Sequence, residues 1–549
     1  SLTFGGYWAW DPVENASLVP WMILIAGIHT LLIYKHSGHS LRATHLFFIL
    51  SFGFVLYSTF LTRSGILGES SVHAFTDLGM NWQLLTFLLI FVLPAFIFFF
   101  IRYNEIPTIQ KEEATSSREF WMFIGALVFF LSAIVIIGKT SLPVFNKLFG
   151  TKIAPPEDAE FAYNSIQVYV AVIIGLLTAI TQYLKYKETP GRYFWKKIWI
   201  PTAVAIIAAS LILLYGHIDY DKKGPVFLGS IWLAVACSIY TVIANASYIW
   251  LGVKGKLKLS GGSISHFGFG MVLLGILIAS SKKEVLSNNI NGIPAPLDKN
   301  EDPRENLTLV KGLSSDMGKY TLTYEGDSAH PKKQLSFYKI NFKSKDGKEM
   351  FTLTPNSFVN YKGNEGLMSN PDARHYWNHD VFTYITSIAN PENTKDTASF
   401  KTTQLKLGDS LFYSSGFIIL EDIKQKDSLP VDIFGENGSL NEAALKIYSK
   451  SGSIYSVTSR LVVAKGERLS LPDTITAESM VLQLQKVNAD KSIELGIKES
   501  NSIMQYVTIK AYKFPFINLL WGGVLITAIG ILMSMVRRIQ LNRNNNTGV

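Results

Sequence analysis

Long apolar runs, nine of them, decide what this chain can fold into. They lie near residues 17–34, 46–62, 83–101, 120–138, 166–184, 198–215, 226–249, 264–281 and 514–536. About 18 or more apolar residues in a row suffice to cross a hydrocarbon layer of roughly 30 Å as a helix. The helix is favoured there because it satisfies its own backbone polar groups. Most of these runs are continuous and uncharged; the first, which contains Pro20 and His29, is the least regular. Only 17% of residues are charged, where soluble domains carry about a quarter. The expected fold class is therefore a polytopic α-helical membrane protein with about nine spans.

The net charge of +9 does not point to nucleic acid, because the surplus sits in short loops beside the spans. One set of loops holds Lys35 and Arg42, then Arg102, Lys111 and Arg118, then the cluster from Lys185 to Lys197, then Lys254, Lys256 and Lys258, and finally Arg537, Arg538 and Arg543. The opposite set is poorer, with Arg63, then Lys139, Lys147 and Lys152, then Lys222 and Lys223. The positive-inside rule assigns the richer set to the cytoplasm. Segments 1–16, 63–82, 139–165, 216–225 and 282–513 then lie outside. Residues 1–281 are read as a membrane bundle with a motif-bearing loop at 1–16. Residues 514–549 are read as a last span and a cytoplasmic tail, disordered after Arg543.

The segment 282–513 alternates polar and apolar residues with period two at 319–324, 335–342 and 350–353, so it is expected to be a β-rich extracytoplasmic domain, a small barrel or sandwich. The one cysteine, Cys237, excludes an intrachain disulfide, and no C-x-x-C-H segment is present. The chain starts at Ser1 and runs at once into its first motif. It carries no signal peptide and is read as a fragment or a processed piece.

That first motif is Phe4-Gly5-Gly6-Tyr7-Trp8-Ala9-Trp10-Asp11-Pro12-Val13-Glu14. Two readings of it stand. It is an interfacial aromatic belt, or it is a platform for a large, flat, apolar ligand. Gly5 and Gly6 allow close backbone approach, and Asp11 and Glu14 suit a plain anchor poorly. Histidine is the usual axial ligand of haem iron. His36, His39 and His45 read as solvated residues of a basic loop, and His330, His375 and His379 as structural residues of the β-rich segment. His29 lies inside the first span, where an ionisable group is costly, and His266 lies just inside the eighth. At ~1.5 Å per residue the two differ in depth by only about 5 Å. They are either a bis-histidine haem site or two unrelated polar residues. His73 shares an outer loop with Arg63. It is either a solvent-exposed histidine or a ligand to haem on the aromatic platform, with Arg63 pairing a propionate.

Residues 4–21, FGGYWAWDPVENASLVPW, strongly resemble the signature W-G-G-x-W-x-W-D-P-V-E-N-A-S-x-x-P-W of the CcmF-type cytochrome c haem lyase family, with Phe4 in place of the leading tryptophan. This family belongs to the wider haem-handling group marked by a tryptophan-rich WWD motif. Residues 59–67 and 71–75, LTRSG and SVHAF among them, resemble the family's second outer loop, and Tyr512–Phe516 before Trp521-Gly522-Gly523 resembles the start of its last span. The resemblance implies a multi-pass protein of the bacterial inner membrane with its large domain in the periplasm. It implies that His73 ligates the haem being delivered to the platform Gly5, Gly6, Tyr7, Trp8, Trp10, Asp11, Pro12 and Glu14. It also implies that His29 and His266 hold a resident b-type haem. A haem chaperone, apocytochrome c, thiol-reducing and other lyase subunits, and quinol are the partners it implies. The family has further spans before the motif, one of which carries the partner of His73; this sequence starts after them and is read as truncated, incomplete, or split with another chain supplying them.

Three functions from different classes remain: a haem lyase subunit, a haem or small-molecule transporter, and a scaffold for the maturation complex. The sequence shows no Ser-His-Asp set, P-loop or zinc spacing. Thioether formation on haem asks for alignment more than for an acid or base, so no catalytic acid or base is expected.

Overall fold

The computed structural model describes residues 7–67, 71, 79–109, 113–156, 158–218, 224–289, 302–360, 366–388, 398–426, 438–450, 452–464, 467–475, 478–500 and 505–546. Its helices, in chain order, are α1 Pro12–Ser37, α2 Leu41–Arg63, α3 Asn81–Ile101, α4 Arg118–Thr140, α5 Leu142–Phe149, α6 Ala159–Ile180, α7 Gly191–Tyr215, α8 Pro225–Leu251, α9 Gly261–Ser281 and α10 Ile517–Asn546. All but α5 are long and apolar enough to cross a membrane, which makes nine candidate spans among the described residues.

Helix α1 begins at Pro12, five residues before its apolar run. Asp11 caps it by accepting from Val13 N–H at 2.9 Å, Pro12 occupies the first turn where its missing N–H costs nothing, and Glu14 lies near the positive end of the helix dipole. Pro20 does not break the helix. Proline has no N–H to give the carbonyl four residues back, so Ala16 O is left over; Ser58 on α2 donates its hydroxyl to it. Ser51, also on α2, donates to Pro20 O at 3.1 Å. The irregularity of the first run is thus repaired by its neighbour.

The helices form two groups. In one, α1 packs on α2 and α4 around Ala16, Val19, Ile23, Phe60, Leu61 and Ile136. In the other, α8 packs on α6, α7 and α9, and α10 lies along α9. The α9–α10 contact is close because of glycines seven residues apart on each helix. A Cβ at Gly268 would fall 2.5 Å from Thr527 N and 2.7 Å from Gly523 O; one at Gly275 would fall 2.4 Å from Leu520 N; one at Gly530 would fall 2.4 Å from Ser265 N. Small residues that let backbones touch are how membrane helices pack without a hydrophobic driving force.

Between α9 and α10 the chain is β-rich, as the alternation predicts, and strands Tyr320–Ala329, Ser336–Ser344 and Met350–Leu353 cover the three segments singled out from the sequence. The domain is not one barrel or sandwich. It has two cores, each between two antiparallel sheets. The first draws Leu309, Leu322, Ile340, Phe342, Val381 and Ile509 from strands before Ile388 and from the last strand, Tyr506–Pro515. The second, around Ile418, Leu420, Leu445, Leu482 and Leu495, is built wholly from residues 401–499. It is therefore inserted between His379–Ile388 and Tyr506–Pro515, which pair with each other. Period-two patterning reports strands and not their partition between cores, so the insertion is not legible in the sequence.

Several element ends differ from the sequence reading, two of them at the last span, and one helix is added. Phe514 and Pro515 belong to a strand, and the last helix starts at Ile517. That helix continues to Asn546, past the Arg543 after which disorder is expected. Helix α5, eight residues in the loop 139–165, has no counterpart in the sequence reading.

Candidate functional site

The aromatic loop folds onto the end of the bundle where the β-rich domain is rooted. Tyr7 bonds Ser280 Oγ at 2.6 Å and donates to Ile276 O at 3.2 Å, both on α9, and sets its ring edge-on against Phe514. Burial pushes the Tyr7 hydroxyl up to about 12, so it stays protonated as a donor. Trp10 takes a positive φ of 56°, stacks on Tyr163 of α6 at 4.8 Å, and donates its indole N–H to Asn164 Oδ1 at 2.8 Å. Asn15 reaches back to Trp10 O at 2.9 Å, and Glu14 accepts from Ala9 N–H at 2.9 Å. The two charges that weighed against a plain belt, Asp11 and Glu14, thus have partners within the loop itself. Trp8 stands edge-on to Trp10 at 5.9 Å and is the more exposed ring. Pro12 is the first residue of α1. Gly5, Gly6 and His73 lie outside the described residues. Arg63, the last residue of α2, is exposed.

His29 and His266 are brought together from helices 237 residues apart in sequence. Their ring centroids are 6.2 Å apart and their planes lie within 17°. They face each other across the boundary between the two helix groups, α1 belonging to one and α9 to the other. His29 Nδ1 is 2.8 Å from Ile25 O, one turn back on its own helix. A carbonyl only accepts, so this nitrogen carries the proton and Nε2 keeps its lone pair. His266 Nδ1 is 2.7 Å from Gln182 Nε2, an amide nitrogen that donates. Amide oxygen and nitrogen exchange places on a half-turn, and with the oxygen at the ring Gln182 would accept the Nδ1 proton and leave that Nε2 bare too. A metal–imidazole bond is about 2.0 Å and a ring centre lies roughly 1.1 Å from each ring atom, so two imidazoles sharing one metal put their centroids ~6 Å apart. The observed pair fits that separation, and it fits the donor set once the Gln182 amide is turned by a half-turn. It lies roughly 20–27 Å along α9 and α1 from the aromatic loop, most of the way across a hydrocarbon core.

Five of the other histidines are engaged elsewhere. His36 stacks on Tyr186 at 4.3 Å, His39 is 3.4 Å from Glu113, and His45 bonds Leu41 O. His375 contacts Asp380 at 2.7 Å, and His379 stacks on Tyr376 at 4.4 Å. Sequence reasoning misses Tyr163, Asn164, Gln182 and Arg118. In the sequence Arg118 reads only as a topology charge, and nothing in spacing ties position 182 to position 266.

A family model described as cytochrome C assembly protein matches residues 1–67, the loop and the first two helices. A cytochrome c-type biogenesis protein CcmF of Pseudomonas aeruginosa is 28% identical over 363 residues, which are 64% of this chain and 51% of that protein. The chain is similar to CcmF-type cytochrome c biogenesis proteins. A cytochrome c-type biogenesis protein NrfE of Haemophilus influenzae is 46% identical over 98 residues, 18% of this chain and 15% of the relative. The solved structure of a cytochrome c heme lyase CcmF aligns over 97% of this chain and 61% of its own, with a TM-score of 0.48 and 15% identity. The chain spans about half the length of the curated CcmF relatives it matches.

Proposed function

We propose that this chain is a haem lyase subunit of cytochrome c biogenesis, with a resident haem between α1 and α9 and a separate place, on the aromatic loop, for the haem to be attached. The observation that carries the reading is the histidine pair: two imidazoles from different helix groups, 6.2 Å apart, each with Nδ1 engaged. His29 and His266 would hold the resident group. When bound, it supplies one-electron redox chemistry inside the membrane.

The chain's own residues then position and exclude. Tyr7, Trp10, Asp11 and Glu14 fix the loop, which leaves the Trp8 ring as the apolar surface offered to a planar ligand. His73 and Arg63 would supply an axial ligand and a propionate partner from the neighbouring loop. Attachment adds each apocytochrome thiol S–H across one haem vinyl group, forming a C–S and a C–H bond with no group left over. That reaction needs neither a nucleophile nor an acid from this chain. Its rate comes from alignment, for which effective molarities of about 10⁵–10⁸ M are known. The haem chaperone, apocytochrome c, other lyase subunits and quinol are the partners, and the β-rich domain faces the periplasm.

The test is spectroscopic. Purified protein should show a low-spin bis-histidine b-type spectrum that His29→Ala and His266→Ala each abolish, and an unchanged spectrum in either variant refutes the ligand assignment. In the native host, His73→Ala should keep that spectrum and stop covalent haem attachment to c-type cytochromes; normal attachment would remove His73 from the reading.

A further inference from the structure

We propose that Gln182 tunes the haem held by His266, and that Arg118 is the residue that holds Gln182 in position. This rests on the reading that His29 and His266 ligate a haem. The two rings are supported in different ways. His29 bonds the carbonyl of Ile25 on its own helix, a partner that comes with the backbone whatever the sequence. His266 instead reaches across to α6, where the amide nitrogen of Gln182 lies 2.7 Å from its Nδ1. One ligand therefore has a fixed partner and the other has a partner that sequence can change.

Gln182 is the middle residue of the single tight turn Thr181–Tyr183 that ends α6. Helix ends carry carbonyls without intrahelical donors. Arg118, the first residue of α4, supplies the donors: its Nε donates to Thr181 O at 3.1 Å and its terminal nitrogen to Gln182 O. The same guanidinium lies 3.5 Å from the Tyr248 hydroxyl and 5.3 Å over the Tyr186 ring, and the Arg118 backbone N–H donates to Lys185 O at 2.9 Å. The far side of the turn is pinned by Tyr183, whose buried hydroxyl donates to Ala244 O at 2.7 Å. Helix α4 packs on α1, and α6 packs on α8, so this clamp joins the two helix groups at the depth of the histidine pair. A planar fork making several directed bonds at once is a task lysine cannot copy.

The consequence comes from ligand basicity. An acceptor on the Nδ1 proton pushes electron density into the ring and strengthens Nε2 as a donor to iron. Hydrogen bonding of this kind is one of the protein's levers on a haem potential. Ligation by Nε2 would turn the Gln182 amide by a half-turn from that placement, because only its oxygen can accept the Nδ1 proton.

The experiment uses the full chain in detergent or nanodiscs, with haem content, the ferric low-spin magnetic resonance signature and the midpoint potential read together. Gln182→Leu removes the acceptor and should move the ferric/ferrous ratio at a fixed ambient potential toward ferrous by up to about tenfold, 59 mV for one electron. Gln182→Glu places a charged acceptor there and should move it toward ferric. Arg118→Lys keeps Gln182 but loosens it, and should shift in the direction of Gln182→Leu by less. Wild-type potentials and signatures in both Gln182 variants overturn the proposal. So does a shift of the same sign in both, which marks a general loosening, and so does loss of haem from both, since a tuning residue is not needed for binding. If only Gln182→Leu loses haem, the sign of the Gln182→Glu shift decides. A wild type without haem, or an unchanged His266→Ala spectrum, sinks the ligand reading itself and is told apart from all of these.

Discussion

At the scale of single residues, the first turns of the chain divide the aromatic loop into groups that hold it and a group that is offered. Trp10 has a stacking partner and a hydrogen-bond partner on α6; Trp8 is 36% exposed and stands edge-on to Trp10. Trp10→Ala should therefore cost stability, about 3 kcal/mol for a ring that is only partly buried, seen as a lower melting temperature in detergent. Trp8→Ala should stay within about 0.5 kcal/mol of wild type and yet lower covalent haem attachment in the native host; unimpaired attachment would take Trp8 out of the haem platform. The Pro20 repair makes a second case. Ser58→Ala strands the Ala16 carbonyl inside the bundle and should cost about 1–3 kcal/mol. Ser17→Ala, which loses an exposed bond within its own helix turn, should be neutral. Equal melting temperatures for the two would mean the carbonyl finds another donor. The residue types at these positions are legible in the sequence, because Asp-Pro-x-Glu is a helix start and paired glycines mark close approach. Their partners are not, since Tyr163, Asn164 and Ser58 reach them only through tertiary packing.

At the scale of elements, hydropathy locates the nine spans but draws their ends by composition, whereas the ends are set by caps and by the neighbouring element in the chain. Asp11 moves the first helix five residues forward. The strand Tyr506–Pro515, mostly buried, with Val507, Ile509 and Ala511 in the first β core, carries Phe514 and Pro515 away from the last span. The α9–α10 pair shows what composition could not order. Gly261 and Gly268 on one helix meet Gly530 and Gly523 on the other, Gly275 meets Leu520, and His266 is two residues from Gly268. Gly268→Leu should force the helices apart at a cost of about 1–3 kcal/mol and displace His266 from His29, so that melting temperature and bis-histidine spectrum fall together. Gly262→Ala on the same helix meets nothing within 4 Å and should retain both. A Gly268→Leu protein with a wild-type spectrum would show that the helix pair does not fix the histidine.

At the scale of the whole molecule, the contacts of Tyr7 with Ser280 and Phe514 put the aromatic loop and the β-rich domain at one end of the bundle. The loop that holds Lys254, Lys256 and Lys258 is at the other end, separated from the domain by α9 alone. Loop charge then predicts which end faces the cytoplasm, because Lys and Arg crowd the end away from the domain. The chain itself provides a clean background for testing this. Its one cysteine, Cys237, is buried within α8. Lys332→Cys, exposed in the β-rich domain, and Lys256→Cys, exposed before α9, can each be challenged with a membrane-impermeant maleimide. In spheroplasts Lys332→Cys should react at once and Lys256→Cys only after permeabilisation. The reverse pattern would invert the whole bundle, turn the Trp8 surface toward the cytoplasm, and end the assignment of haem attachment to that loop while leaving the histidine pair where it is.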